Sequence, residues 1–215
     1  MFAARFCLLG ALTLSIASAQ SLTVVNPDFS AVSIQCSPGW AYEANDSPGG
    51  NCQSTSPEQQ FNGQPGIGWT FAPLKPTPPH PPCYPFCYTD GITGANTDFN
   101  PPPFTGLPFS YAGILQGATS SIEQAIQGFT PGRYVLSFYL GSRYGTGQSG
   151  GYQTVLATLD DQLLGIWSLK GFTPFTLQTA KFNVATPGTH LLAFRGVTAG
   201  GQTAFFSGVS IAAAQ

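Results

Sequence analysis

The side chains in this 215-residue sequence that could do chemistry are aromatics and arginines in loops rather than paired acids and bases. Trp40, Tyr42, Tyr84, Phe86 and Tyr88 lie in Gly-, Pro- and Ser-rich stretches, and Tyr144 and Tyr152 flank the loop RYGTGQSGGY. Aromatic faces stack on the apolar faces of sugars, while a few polar groups hold the hydroxyls. Arg143 follows one expected strand and Arg195 lies in LLAFRGV, a comparable strand-end position. A planar guanidinium fork suits hydroxyls or a carboxylate; the alternative is a structural ion pair with Asp98, Glu123 or Asp160. Arg143, Tyr144, Trp40, Tyr84 and Arg195 are thus the candidate ligand-binding residues. The competing reading of each aromatic is that it packs its loop onto the body of the fold. Trp69 and Trp167 sit inside expected strands and belong to the core.

Catalytic chemistry finds little support. Asp160 and Asp161 are adjacent in a turn, and neighbouring residues along a strand point to opposite faces. A glycosidase needs two carboxyls facing one bond. His80 stands in a proline-rich loop, and its distance from Cys83 matches no zinc finger. His190 begins a strand. The sequence therefore reads as a non-enzyme with no metal site.

The elements that must position these residues begin after a leader. Arg5, the apolar run Phe6–Ile16 and Ala17-Ser18-Ala19 have the form of a secretory signal cleaved after Ala19. The run is shorter than the ~20 residues a membrane span needs. Removing it leaves 196 residues (215 − 19), enough for one domain. The basic count falls from 7 to 6 as Arg5 leaves, against 9 acids, for a formal charge of −3. That balance excludes a nucleic-acid surface. Charged residues make up only 7% of the chain, so its surface must be built from hydroxyls, amides and backbone. Such a surface suits a secreted β protein with neutral partners.

Cys7 leaves with the leader, and four cysteines remain. An even count behind a signal reads as disulfides. Loop by loop the expected bridges are Cys36–Cys52 and Cys83–Cys87, one of three pairings that four cysteines permit.

Residues 31–66 and 72–110 are rich in Gly, Pro, Ser, Asn and Gln, with GIGWTF between them. KPTPPHPPCYPFCY holds six prolines and fits neither a helix nor a central strand. From residue 111 the pattern changes. GRYVLSFYLGS alternates Tyr134, Leu136, Phe138 and Leu140 against Val135, Ser137 and Tyr139. QTVLATL and LLGIWSL flank an Asp160-Asp161-Gln162 turn, and PFTLQTAKFNV, THLLAFRGV and TAFFSGVSI follow between turn signals. Recurrent short strands without a 3.6-residue stripe predict an all-β antiparallel two-sheet sandwich. SSIEQAIQGF admits a capped helix, but Gly128 and Pro131 leave it only about eight residues, a marginal length. Its alternation of Ile122, Gln124 and Ile126 predicts a strand over 120–127.

The order NPDF, GIGWTF, YAGILQGATSSIEQAIQGFTPGRYVLSFYLGSR, VLATLDDQLLG, FTLQTAKFNV and TAFFSGVSI resembles the galactose-binding-like β-sandwich (jelly-roll) modules of secreted bacterial proteins and carbohydrate-binding modules. The resemblance covers nearly all of the chain after the leader except the Cys-bearing insertions. It implies a jelly roll that binds glycan without catalysis. In relatives, acids after the Asn-x-x-Phe motif and in the last strand help to hold a structural calcium. Here Ser30 and Ser207-Gly208 stand in those places, so no cofactor is expected. The C-terminal IAAAQ carries no sorting motif, which implies free secretion. The reading is a secreted neutral-glycan module, with a structural or adhesive surface protein as the alternative.

Overall fold

The computed structural model describes residues 21–35, 39–43, 58–72, 90–145 and 150–214. The expected signal 1–19 and Tyr84 lie outside them. So do Cys36, Cys52, Cys83 and Cys87, and the disulfide expectation is corrected here: no paired cysteines hold the described fold.

Among the described residues thirteen strands form two packed sheets: β1 Ser21–Leu22, β2 Trp40–Glu43, β3 Glu58–Gln59, β4 Thr70–Phe71, β5 Asp90–Gly94, β6 Tyr111–Gln116, β7 Ser121–Phe129, β8 Gly132–Ser142, β9 Thr154–Leu159, β10 Gln162–Ser168, β11 Thr173–Val184, β12 Gly188–Gly196 and β13 Thr203–Ala213. The larger sheet runs β11-β8-β13-β6-β5-β2-β3, with β1 on β13; the smaller runs β10-β9-β12-β7-β4. Among the described residues every pairing is antiparallel except β2–β3. This is the predicted all-β sandwich with a jelly-roll arrangement. No helix among the described residues is long and apolar enough to cross a membrane.

Alternation decides which faces are buried. Tyr134, Leu136, Phe138 and Leu140 of β8 all point into the core, as do Ile122 and Ile126 of β7. The ambiguous segment is therefore a strand. Gln124 shares that inward face and is satisfied there: its amide accepts from the Val25 N–H and donates to the Val25 carbonyl, both at 2.8 Å. A buried polar side chain thus fastens the N-terminal segment to the sandwich. At the centre Phe194 and Phe206 stack at 4.3 Å, and Trp69 packs on both.

The stretches expected to be irregular contribute β2, β3 and β5 to the larger sheet. Residues 95–110 then cross its outer face and bury a second cluster, in which Phe99 meets Trp40, Tyr42 and Phe205. The sheet is therefore covered on both sides at this corner.

The β9–β10 hairpin turns on Asp160 and Asp161, at φ 47° and 63°, the left-handed pair a two-residue type I′ turn requires. Asp160 accepts from the Leu191 N–H at 2.7 Å and lies 2.5 Å from His190 Nδ1. The Leu191 N–H holds the Asp160 carboxyl below its ordinary value, and the bond to Asp160 holds His190 above 6.5. The imidazolium's contribution is full below pH 6.5 and is lost as pH rises through the elevated His190 value. That of Asp160 is present above about pH 3.8 and is lost as pH falls through its depressed value. An NMR titration of the His190 ring should give a midpoint above 6.5, and Asp160→Asn should bring it down. A midpoint at or below 6.5 in the parent protein would contradict this clip.

Candidate functional site

The outward face of the 95–103 segment is polar for a local reason. Thr97 and Phe99 are buried, whereas Asn96, Asp98 and Asn100 are exposed. Thr97 Oγ1 bonds Thr93 Oγ1 at 2.8 Å, and the Asn100 N–H closes a turn on the Thr97 carbonyl at 2.9 Å. Asn96 and Asn100 adopt left-handed backbone, φ 56° and 50°, which Asn tolerates better than most residues. Alternation thus drives two side chains down as anchors and lifts two amides and a carboxylate toward solvent.

Tyr144 closes this segment into a groove. Its N–H donates to the Asn100 carbonyl at 3.1 Å, which places the end of β8 beside the loop. The ring itself is 69% exposed. It meets the 41%-exposed Phe172, just before β11, edge to face at 5.4 Å. The groove between Asn96, Asp98, Asn100, Pro101 and Pro103 on one side and this aromatic pair on the other has a volume of about 490 Å³.

Of the expected site residues that are described, Tyr144 alone lines this groove. Arg143 turns inward, its guanidinium 4.6 Å from the centre of the Phe99 ring, and burial lowers its pKa from the ordinary arginine value. Arg143 therefore supports the floor through a cation–π contact. Trp40 is buried 4.6 Å from Phe99 and cannot face a ligand. Arg195 donates from Nη2 to Asp161 at 2.9 Å, a structural pair at the β9–β10 hairpin away from the groove. Phe172 was not singled out from the sequence, nor were Asn96 and Asn100, and Asp98 was named only as a possible ion-pair partner of the arginines. Their signal was the alternation of polar and anchoring residues in NTDFN, inside a stretch dominated by turn formers.

The positions where relatives carry calcium-holding acids have local partners. Asp28 Oδ1 accepts from the Ser30 hydroxyl at 2.8 Å, and the Ser207 hydroxyl donates to the Tyr111 carbonyl at 2.7 Å. Among the described residues no three His, Cys, Asp or Glu side chains gather as metal ligands do. Residues 147–151, GQSGG, spell a nucleophile-elbow pattern, which requires a strand-to-helix turn. Gly150 and Gly151 lead instead into β9, and 146–149 lie outside the described residues.

No family model matches the sequence, and a search of curated proteins finds no match. Solved structures do resemble the fold. A Stig cyclase, Fisc, from Fischerella sp. TAU in complex with an indole ligand aligns at TM-score 0.58 and 15% identity, covering 92% of this chain and 98% of that one. A cyclase from the same organism in complex with 4-(1H-indol-3-yl)butan-2-one aligns at TM-score 0.58 and 15% identity over 92% and 100%. A carbohydrate-binding module of Cellvibrio mixtus lichenase 5A in complex with cellotriose covers 54% of this chain and 86% of that one, with 13% identity and a TM-score of 0.39, too low to carry any argument. The likeness to the cyclases is one of fold: an all-β antiparallel two-sheet sandwich.

Proposed function

We propose that this chain is a secreted, non-catalytic binding module that holds neutral glycan in the groove between Tyr144, Phe172 and the 96–103 segment. The exposed Tyr144–Phe172 pair beside a row of amides carries this reading. An open groove of about 490 Å³ lies within the usual size range of small-ligand sites. Two ring surfaces at its wall supply stacking area at small entropic cost. Asn96 and Asn100 offer both donors and acceptors to hydroxyls, and Asp98 offers acceptors. A surface with so few charges favours an uncharged ligand over an acidic one. The carboxylates of the adjacent acid pair, Asp160 and Asp161, are engaged by His190 and Arg195, as expected of structural groups.

A structural or adhesive role is the second reading. It is favoured by the apolar side chains on the β10 and β11 edge strands, where Leu163, Ile166 and Leu177 are each more than half exposed.

An array of neutral plant and microbial glycans separates the two. Saturable binding to at least one glycan is expected, and Tyr144→Ala should weaken it about tenfold, a loss near 1.4 kcal/mol. Thermal stability should barely change, because exposed surface substitutions usually stay within about 0.5 kcal/mol. Absence of saturable binding, or undiminished binding by Tyr144→Ala, would favour the adhesive role.

A further inference from the structure

Two carboxylates are buried together where β2 and β5 meet, and the binding groove makes no use of either. Glu43 and Asp90 are each only 1% exposed. Tyr42 pairs with Gly91 across these strands, which sets Glu43 beside Asp90 in the ladder. Each follows the inward alternation of a core residue, Ala41 on β2 and Ile92 on β5. Buried acids of this kind need either a cation or strong donors.

The two are treated unequally. Glu43 receives the Phe61 N–H at 2.6 Å, the Asn62 N–H at 3.2 Å and the Gln60 side-chain amide at 2.8 Å. Those donors suit an anion. Among the described residues Asp90 receives the Ser121 N–H at 3.4 Å and no other donor, and its Oδ1 has no partner.

Among the described residues no ion pair engages either carboxylate. From β2 comes Glu43 itself, while Tyr42 points to the opposite face; the 60–62 segment brings neutral Gln60 and Asn62. β6 sets Leu115 opposite Asp90. On β7 the nearest charge is the part-exposed Glu123. Arg195 of β12, paired with Ser121 of β7, gives its Nη2 to Asp161, while its Nε is buried without a partner.

We propose that Asp90 and Glu43 form a proton-operated latch, in which protonated Asp90 keeps the β2–β5 corner docked and loss of that proton releases it. The titration agrees with the geometry. Burial, reinforced by the Glu43 charge and opposed by the Ser121 N–H, pushes Asp90 from 3.8 up to about 8. Burial also pushes Glu43 from 4.5 to about 6, against the Phe61 and Asn62 N–H groups. Between those two values the pair holds one proton, on Asp90.

The sign follows from linkage. A carboxyl whose folded pKa is raised stabilises the fold relative to its ionised form below its unfolded value, and that advantage is lost as pH rises through the folded value. For Asp90 the loss runs from about pH 4 to beyond about pH 8. A second negative charge then enters a buried site in which Asp90 Oδ1 has no hydrogen-bond partner, and the strand pair it lies between opens to water. In the sheet β3 pairs with β2, so that ladder is lost with it, while Gln59 still holds β3 to Ser33 and Gln35.

Hydrogen exchange read by mass spectrometry, corrected for the intrinsic pH dependence, tests the latch on the full chain. Between pH 6 and pH 9, protection of residues 39–43 and 90–94 should fall about tenfold or more, while that of 132–142 in β8 holds. Asp90→Asn should abolish the difference between the two regions. Glu43→Gln, which removes the repelling charge, should leave a smaller fall, so the idea remains testable if Asp90→Asn fails to fold. A chelator should change none of these profiles. Equal pH dependence in both regions, or a differential fall that persists in Asp90→Asn, would overturn the proposal. A chelator effect would do the same, since a cation rather than a proton would then neutralise the pair.

Discussion

Replacing Gly91 with alanine should destabilise the protein by about 3 kcal/mol or more, at the upper end of what overpacking costs. A Cβ at this position would lie 2.1 Å from the Ala41 carbonyl oxygen and 2.7 Å from the Tyr42 Cα. Both are backbone atoms, so no rotamer change relieves the clash. β5 cannot retreat, because Gly91 is paired with Ile114 of β6 on its other side. The strand that must move is β2, whose Trp40 and Tyr42 pack against Phe99. The measurement is the urea midpoint, with Gly132→Ala as control, since a Cβ there meets nothing closer than 3.9 Å. A Gly91→Ala midpoint equal to that of the control would show that the corner is far softer than its geometry implies.

Phe206→Ala should cost about 3–5 kcal/mol, as truncation of a buried aromatic does when its surroundings collapse only in part. Phe206 is wholly buried, stacks on Phe194 at 4.3 Å, and meets the rings of Phe29 and Trp69. These rings come from both sheets and from the NPDF turn, so the cavity would lie where three parts of the fold meet. Trp69 is itself pinned, its Nε1–H donating to the Asn26 carbonyl at 2.8 Å, which limits how far it can fill the void. Domains of this size are stable by only about 5–15 kcal/mol, so the variant should unfold at a clearly lower denaturant concentration. A loss under about 1 kcal/mol would mean that the two sheets are not packed through this aromatic cluster.

The strands that were legible in the sequence are those with one dry face. β7 and β8 alternate cleanly because one face meets the core, and their alternation survives to the level of single residues: Ile122, Gln124 and Ile126 all point inward. β2 and β5 were missed for the opposite reason. WAYE and DGITG are buried at every position, since the core covers one face and the Phe99 cluster the other. A strand covered on both sides shows no alternation, and the glycines and acids within these two gave no apolar run in its place.

The site was legible in the same partial way. Tyr144 stood out as an aromatic in a loop, and it is exposed there. Arg143 stood beside it in sequence, yet the chain turns between them, sending one side chain to solvent and the other onto Phe99, 44 residues earlier. Such a contact has no local signature. Phe172 joins Tyr144 only because β11 pairs with β8, a register that spacing alone does not reveal.

The claim that glycan occupies this groove is tested most directly by an NMR titration of the isotope-labelled protein with the saccharide that binds best on the array. The amides expected to shift lie in residues 96–100, at Tyr144 and at Phe172, with the Tyr144 and Phe172 ring signals moving as a sugar face stacks on them. The amides of the Asp160–Asp161 hairpin, where Arg195 is held, should stay still. Shifts centred on that hairpin or on the β10 edge, with 96–100 and Tyr144 unmoved, would contradict the groove as the binding site.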